Sequence, residues 1–298
     1  MMARKKLVLE CGVNSLDNLG EKDTPLPARI EQLQKEAGRD AGIDLQIVPY
    51  AGSSGAHRGG RFIRSDNEAL PGLITMLNSA GIPFMYALNG GLLMDEALLP
   101  DESESRVLDA MAASGSRFML KNKVVITRGA LLPYLRRIYP VLEVVASCIQ
   151  QTSPRECGPY DVKLREYDYV VPLNQHTTYD CLKGLGADAG RLIVFLMLTC
   201  GAVDTRCCFG DYLAHERISP DVILRQMAAG PFGALTPSRL SPEDSGCNWP
   251  GAALNTRLPD LTALIRMGVN KFKVTRAQHL LPNDYRQLIE LIKEHQAG

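Results

Sequence analysis

Three cysteines, Cys200, Cys207 and Cys208, follow directly on the most apolar stretch of the chain, Arg191 to Thr199, and a fourth, Cys247, comes about forty residues later. Thiolates at that spacing suit a metal or cluster site, because several soft ligands delivered by one connection can converge on one ion. A run so rich in Ile, Val, Leu and Phe reads as a strand buried on both faces, and Cys200 begins where that strand should end. In α/β proteins chemistry gathers at such carboxyl ends. The remaining cysteines read differently. Cys11, Cys148 and Cys181 are expected as small core or helix-face residues, and Cys157 as a turn thiol.

The elements that must position this group alternate regularly. Strand-like runs occur at 6–10, 44–50, 83–88, 123–127, 142–147, 167–172, 191–198 and 271–275, about the eight that a closed parallel barrel needs. Helix-like stretches separate most of them, at 27–41, 67–80, 104–113, 129–139, 177–185 and 283–295. Asp66-Asn67 offers a helix cap, and Gly81 and Gly115 stand where helices should end on a left-handed residue. The fold expected is α/β, a (β/α)8 TIM-like barrel forming a single domain over residues 1–298. Residues 228–259, rich in Gly, Pro and Ser and holding Cys247 and the sole tryptophan, Trp249, form a loop insertion between the last two strands, expected to fold over the barrel mouth.

Composition narrows the class. The chain has 298 residues, 45% of them apolar, with 33 basic and 33 acidic side chains. Balanced charge and the lack of an arginine-rich stripe argue against a nucleic-acid partner, since backbone binding needs clustered positive charge. No segment reaches the roughly eighteen uninterrupted apolar residues of a membrane span, so a cytoplasmic protein without a membrane partner is expected. Eight cysteines are too few for a disulfide scaffold. No GxGxxG or phosphate-binding P-loop motif appears.

A barrel would bring the polar residues at its strand ends to one opening. Candidate catalytic groups there are Asn89 after the third strand, Asn174 and His176 after the sixth, and Lys273 on the eighth. Candidate substrate-binding groups are Arg61 beside Gly59-Gly60, Arg128 and Arg276, whose planar guanidinium matches a carboxylate or phosphate. Cys11, Asn14 and Ser147 join the same rim, and His215 follows the cysteines. Lys273 faces into or out of the barrel according to a register that one residue reverses. Glu10 and Asp168 lie on strands, and either would be costly inside the barrel unless paired.

Several segments together resemble the collagenase-like peptidase superfamily, whose barrel proteins include iron-sulfur proteins of oxygen-independent ubiquinone hydroxylation and of tRNA and rRNA hydroxylation. They are Gly59-Gly-Arg61, residues 81–89, Asn122 to Ile126, Tyr139 to Ser147, Tyr167 to Asn174, the cysteine cluster ending in His215, and Gly268 to Lys273. The resemblance implies an iron-sulfur cluster, a 4Fe-4S type, on Cys200, Cys207, Cys208 and Cys247. It departs from the family in the adjacent Cys207-Cys208 pair, so the fourth ligand is Cys208, Cys148 or an iron left open for substrate. Zinc suits four thiolates almost equally and is the alternative metal.

The activity implied is redox or group-transfer chemistry, oxygen-independent hydroxylation in its most concrete form, on a small-molecule or nucleic-acid-linked substrate, the balanced charge favouring a small molecule. It would draw on an electron donor or a homologous partner subunit. Two alternatives stand beside it: a metal- or thiol-dependent hydrolase or peptidase, for which HExxH and GxSxG are both missing, and a non-catalytic cluster-bearing partner subunit.

Overall fold

The computed structural model describes residues 6–16, 23–41, 44–54, 57, 66–88, 99–127, 129–147, 160–172, 182, 184–197 and 264–274. Its strands are β1 (Lys6–Gly12), β2 (Asp44–Gly52), β3 (Met85–Leu88), β4 (Lys123–Ile126), β5 (Glu143–Ala146), β6 (Tyr169–Val170), β7 (Ile193–Met197) and β8 (Lys271–Val274). All pairings are parallel, in the order β6-β5-β4-β3-β2-β1-β8-β7, and the Val170 to Leu192 bridge joins the two ends. The register runs level from Gly52 through Ala87, Val125 and Val145 to Tyr169, while across the seam Ile193 stands beside Lys271, Val8 and Gln46. One circuit therefore returns to β2 well below its start, the stagger that a tilted, closed barrel requires. This is the (β/α)8 TIM-like barrel expected; the 228–259 insertion lies outside the described residues.

Around it run α1 (Val13–Leu16), α2 (Leu26–Ala41), α3 (Leu70–Ser79), α4 (Glu102–Phe118), α5 (Leu131–Ile138) and α6 (Tyr160–Glu166), with a 3-10 helix over Gly186–Arg191. Strand alternation sorts the core into two clusters. Leu7, Leu9 and Cys11 of β1 face the helices, with Ile30, Ile74, Leu77, Val107 and Leu135 among their cluster. Val8, Val48, Tyr50, Met85, Val125, Val145 and Ile193 pack together inside the barrel. Cys11 is a core residue of β1, as its type suggested, and because it faces the helices it does not join the rim as also expected; burial followed by the charge of Glu10 pushes its thiol up to about 12.

Three local expectations are corrected. Helix α4 runs from Glu102 to Phe118, not from 104 to 113: Asp101 caps it, accepting the Glu104 N–H at 2.9 Å while Glu104 accepts the Asp101 N–H at 3.0 Å. Gly115 consequently lies inside the helix, and the left-handed residue at its end is Met119, at φ 55° and 91% exposed. Gly115 is there for space, because a Cβ would stand 3.0 Å from both Leu120 O and Asn122 Nδ2. Asp66 caps only the turn ahead of α3, accepting the Glu68 N–H at 3.0 Å; the helix starts behind Ala69 without a side-chain cap. Asn67 is drawn into a tertiary network described below. Gly81, at φ +77°, does end α3 as expected.

Candidate functional site

Because alternate residues of each strand face inward, the register stacks the lumen in levels drawn from every other strand. Nearest the carboxyl mouth of the three described packed levels are Tyr50, Val125, Val171 and Lys273. Below come Glu10, Met85, Val145 and Ile193, and then Val48, Lys123, Tyr169 and Lys271. Above them the register places Gly12, Ala87, Ser147 and Phe195, so three of the four positions nearest the mouth carry small residues. The lumen is thus an apolar packing core interrupted by charge.

That charge is organised around Glu10, which is fully buried. Lys123 Nζ donates to Glu10 Oε1 at 3.1 Å, and the two side chains are 7% and 0% exposed. Among the described residues Glu10 Oε2 has no hydrogen-bond partner. Lys123 and Lys271 both lie over the ring of Tyr169, at 4.7 and 5.2 Å from its centroid, and Lys273 lies 4.5 Å over the ring of Tyr50. Placing ammonium groups on aromatic faces lowers the penalty of burying them. Lys271 Nζ also donates to Gly190 O at 2.5 Å and to Asn270 Oδ1 at 3.1 Å.

These neighbours shift the titrations. Burial, with Lys123 adding like-charge repulsion, lowers the Lys271 ammonium to about 8. Burial and then the Glu143 carboxylate push the Tyr169 hydroxyl up to about 12. Tyr50 is raised by burial first, then by Cys11 and Glu10. Glu143 is raised by burial, which outweighs the opposing pull of Lys123.

Of the residues singled out from sequence, Lys273 falls among those described, and it is buried in the lumen at 5% exposure. Asn89, Asn174, His176, Arg61, Arg128, Arg276, Cys200, Cys207, Cys208 and Cys247 lie outside the described residues, as do Cys148, Cys157, Cys181 and His215. Glu10 is inside the barrel and paired, as its position demanded. Asp168 is half-buried outside the lumen, accepting from Arg136 Nη1 at 2.8 Å and the Val144 N–H at 2.7 Å. Among the described residues no group of His, Cys, Asp or Glu converges to hold a metal ion, and no helix is long and apolar enough to cross a membrane.

Lys123 and Lys271 were missed, although a signal existed: Lys271 and Lys273 are two apart on one strand, so one inward lysine implies the other. A second buried network also went unread. Behind β2, Glu104 of α4 accepts the Ser53 hydroxyl and the His57 N–H on Oε1, the latter at 2.6 Å, while His57 Nδ1 lies 2.8 Å from Oε2. Asn67 accepts the Tyr86 hydroxyl at 3.0 Å and donates to Ser103 at 2.9 Å. Together these bonds anchor both ends of the β2 to α3 connection, with His57 two residues upstream of Gly59-Gly60-Arg61. Since Glu104 lies between Ser53 and His57, this is not a nucleophile triad, in which the imidazole must occupy the middle.

No protein-family model matches the chain, and no curated protein matches it.

Proposed function

We propose that the chain is a barrel enzyme that carries an iron-sulfur cluster on Cys200, Cys207, Cys208 and Cys247 at its carboxyl face and performs redox or group-transfer chemistry on a small molecule. Oxygen-independent hydroxylation is the version the sequence resemblance favours. The observation that carries the reading is the position of β7. It is a strand of a closed parallel barrel and ends at Met197, so only Leu198 and Thr199 separate its end from Cys200. Active sites of such barrels form at that rim from the connections that follow the strands.

When bound, the cluster would supply electron transfer or an open iron site. The chain's own described groups would act beneath it. Lys273 brings a positive charge from β8 to the upper lumen, and Tyr50 shields it with an aromatic face. Arg61 would reach the same mouth from the connection anchored by Glu104, and Asn89, Asn174 and His176 would orient substrate from the ends of β3 and β6, with Arg128 and Arg276 on its anionic groups.

The test is anaerobic purification followed by an absorption spectrum of the wild type and of Cys200→Ala, Cys207→Ala, Cys208→Ala and Cys247→Ala. A broad sulfur-to-iron charge-transfer band that is lost in these variants supports the proposal and assigns the ligands. A band that survives all four substitutions contradicts the ligand set.

A further inference from the structure

The orphaned oxygen of Glu10 is the feature of the lumen that packing leaves unexplained. A buried carboxylate oxygen without a partner is costly, about 1–3 kcal/mol or more for a charged group, and native structures seldom retain one without a role. Glu10 is 0% exposed, and its other oxygen is held by Lys123. Oε2 is therefore an acceptor set at mid-lumen, one level below Tyr50 and Lys273.

The surroundings restrict what could donate to it. A cationic group would meet the ammonium charges of Lys123, Lys271 and Lys273. An anionic group would meet Glu10 itself at the moment of contact. A neutral group that carries an N–H beside a carbonyl oxygen meets neither conflict: the N–H satisfies Oε2, and the oxygen accepts from Lys273, whose ammonium has three donors to distribute. Glu10 and Lys273 are register partners on adjacent strands, so their backbones are one strand spacing apart, about 4.8 Å. Their side chains therefore leave neighbouring points of the lumen wall, from which both could address one small group. Above them three of the four positions, Gly12, Ala87 and Ser147, carry small residues, and Phe195 holds the fourth.

We infer that Glu10 Oε2 and Lys273 form a lumenal subsite for a neutral carboxamide-type group of a small ligand, entered from the carboxyl mouth past the Tyr50 ring. Entry requires Lys273 to swing aside on its flexible stem. The inference rests on the reading that substrate enters at that mouth, but it does not depend on the cluster.

The experiment uses full-length protein and saturation-transfer NMR with four probes of similar size: acetamide, N,N-dimethylacetamide, acetate and methylammonium. Acetamide should bind at least about tenfold more tightly than N,N-dimethylacetamide, which keeps the carbonyl but has no N–H, and more tightly than either ion. The double variant Glu10→Met/Lys123→Met removes the buried pair together, which favours retention of the fold, and it should lose the acetamide signal. Cys200→Ala should keep it, so loss of the cluster and loss of this subsite are read separately. Equal binding of the two amides, stronger binding of either ion, binding retained in the double variant, or no binding by any probe would overturn the assignment.

Discussion

Lys123 Nζ stands 3.1 Å from Glu10 Oε1 although 113 residues separate the two in sequence, and this pair ties β4 to β1 across the centre of the barrel. Both side chains are almost wholly shielded from water, so each depends on the other for compensation. Removing either alone leaves a buried charge. Glu10→Ala or Lys123→Met should each cost about 3–5 kcal/mol, whereas Glu10→Met/Lys123→Met should lie within about 1 kcal/mol of the wild type or above it. Urea unfolding of the three variants checks this, and additivity of the two single losses would show that the pair is not coupled.

Lys271 should make stability rise with alkaline pH. Its ammonium titrates near 8 in the folded chain against the ordinary 10.5, so between those values the unfolded state binds more protons. Stability then increases as pH rises through that window. The penalty for holding Lys271 charged is present below about 8 and relieved above it. Comparing wild type with Lys271→Met between these pH values isolates the contribution; identical pH slopes for the two proteins would contradict it.

How much of this was legible in the sequence depended on range. Most of the strands were readable because burial on both faces gives dense apolar runs such as Leu7 to Leu9 and Val124 to Ile126, and the parallel barrel followed from their alternation with helices; β8, Lys271-Phe-Lys-Val274, carries two lysines instead. That Glu10 would need a partner was readable from its place in an apolar strand. Which partner was not, because Lys123 reaches it through barrel closure, and local patterning carries no information about which side chains meet across a lumen. The same holds for His57 and Glu104. Gly115 misled for a related reason: a glycine near a helix end signals a cap, but here it answers to Asn122 and Leu120.

Gly115→Ala therefore sets two effects against each other. Helix propensity favours alanine by about 1 kcal/mol, while the new methyl would meet a backbone oxygen and a tightly bonded amide, each at 3.0 Å. Asn122 cannot easily yield, since it accepts the Phe84 N–H at 2.7 Å and donates to Met111 O at 2.8 Å. Overpacking should win, for a net loss of about 1–2 kcal/mol in thermal or urea unfolding. Met119→Gly should do the reverse and gain about 1 kcal/mol, because the left-handed backbone there suits glycine and the side chain is 91% exposed.

Glu104→Ala removes one carboxylate that accepts from Ser53, His57 twice and the Asp101 N–H. The loss should exceed about 3 kcal/mol, since several donors become unsatisfied at once. Limited proteolysis should then cut the connection between β2 and α3 first. Unchanged cleavage there, with unchanged stability, would show that the network does not anchor it.

The most direct measurement is the iron, acid-labile sulfide and zinc content of the protein purified without oxygen. Iron and sulfide in matching amounts, near four of each per chain for a cubane cluster, are what the account predicts. A colourless protein with stoichiometric zinc, or one that remains metal-free after anaerobic reconstitution, would contradict it.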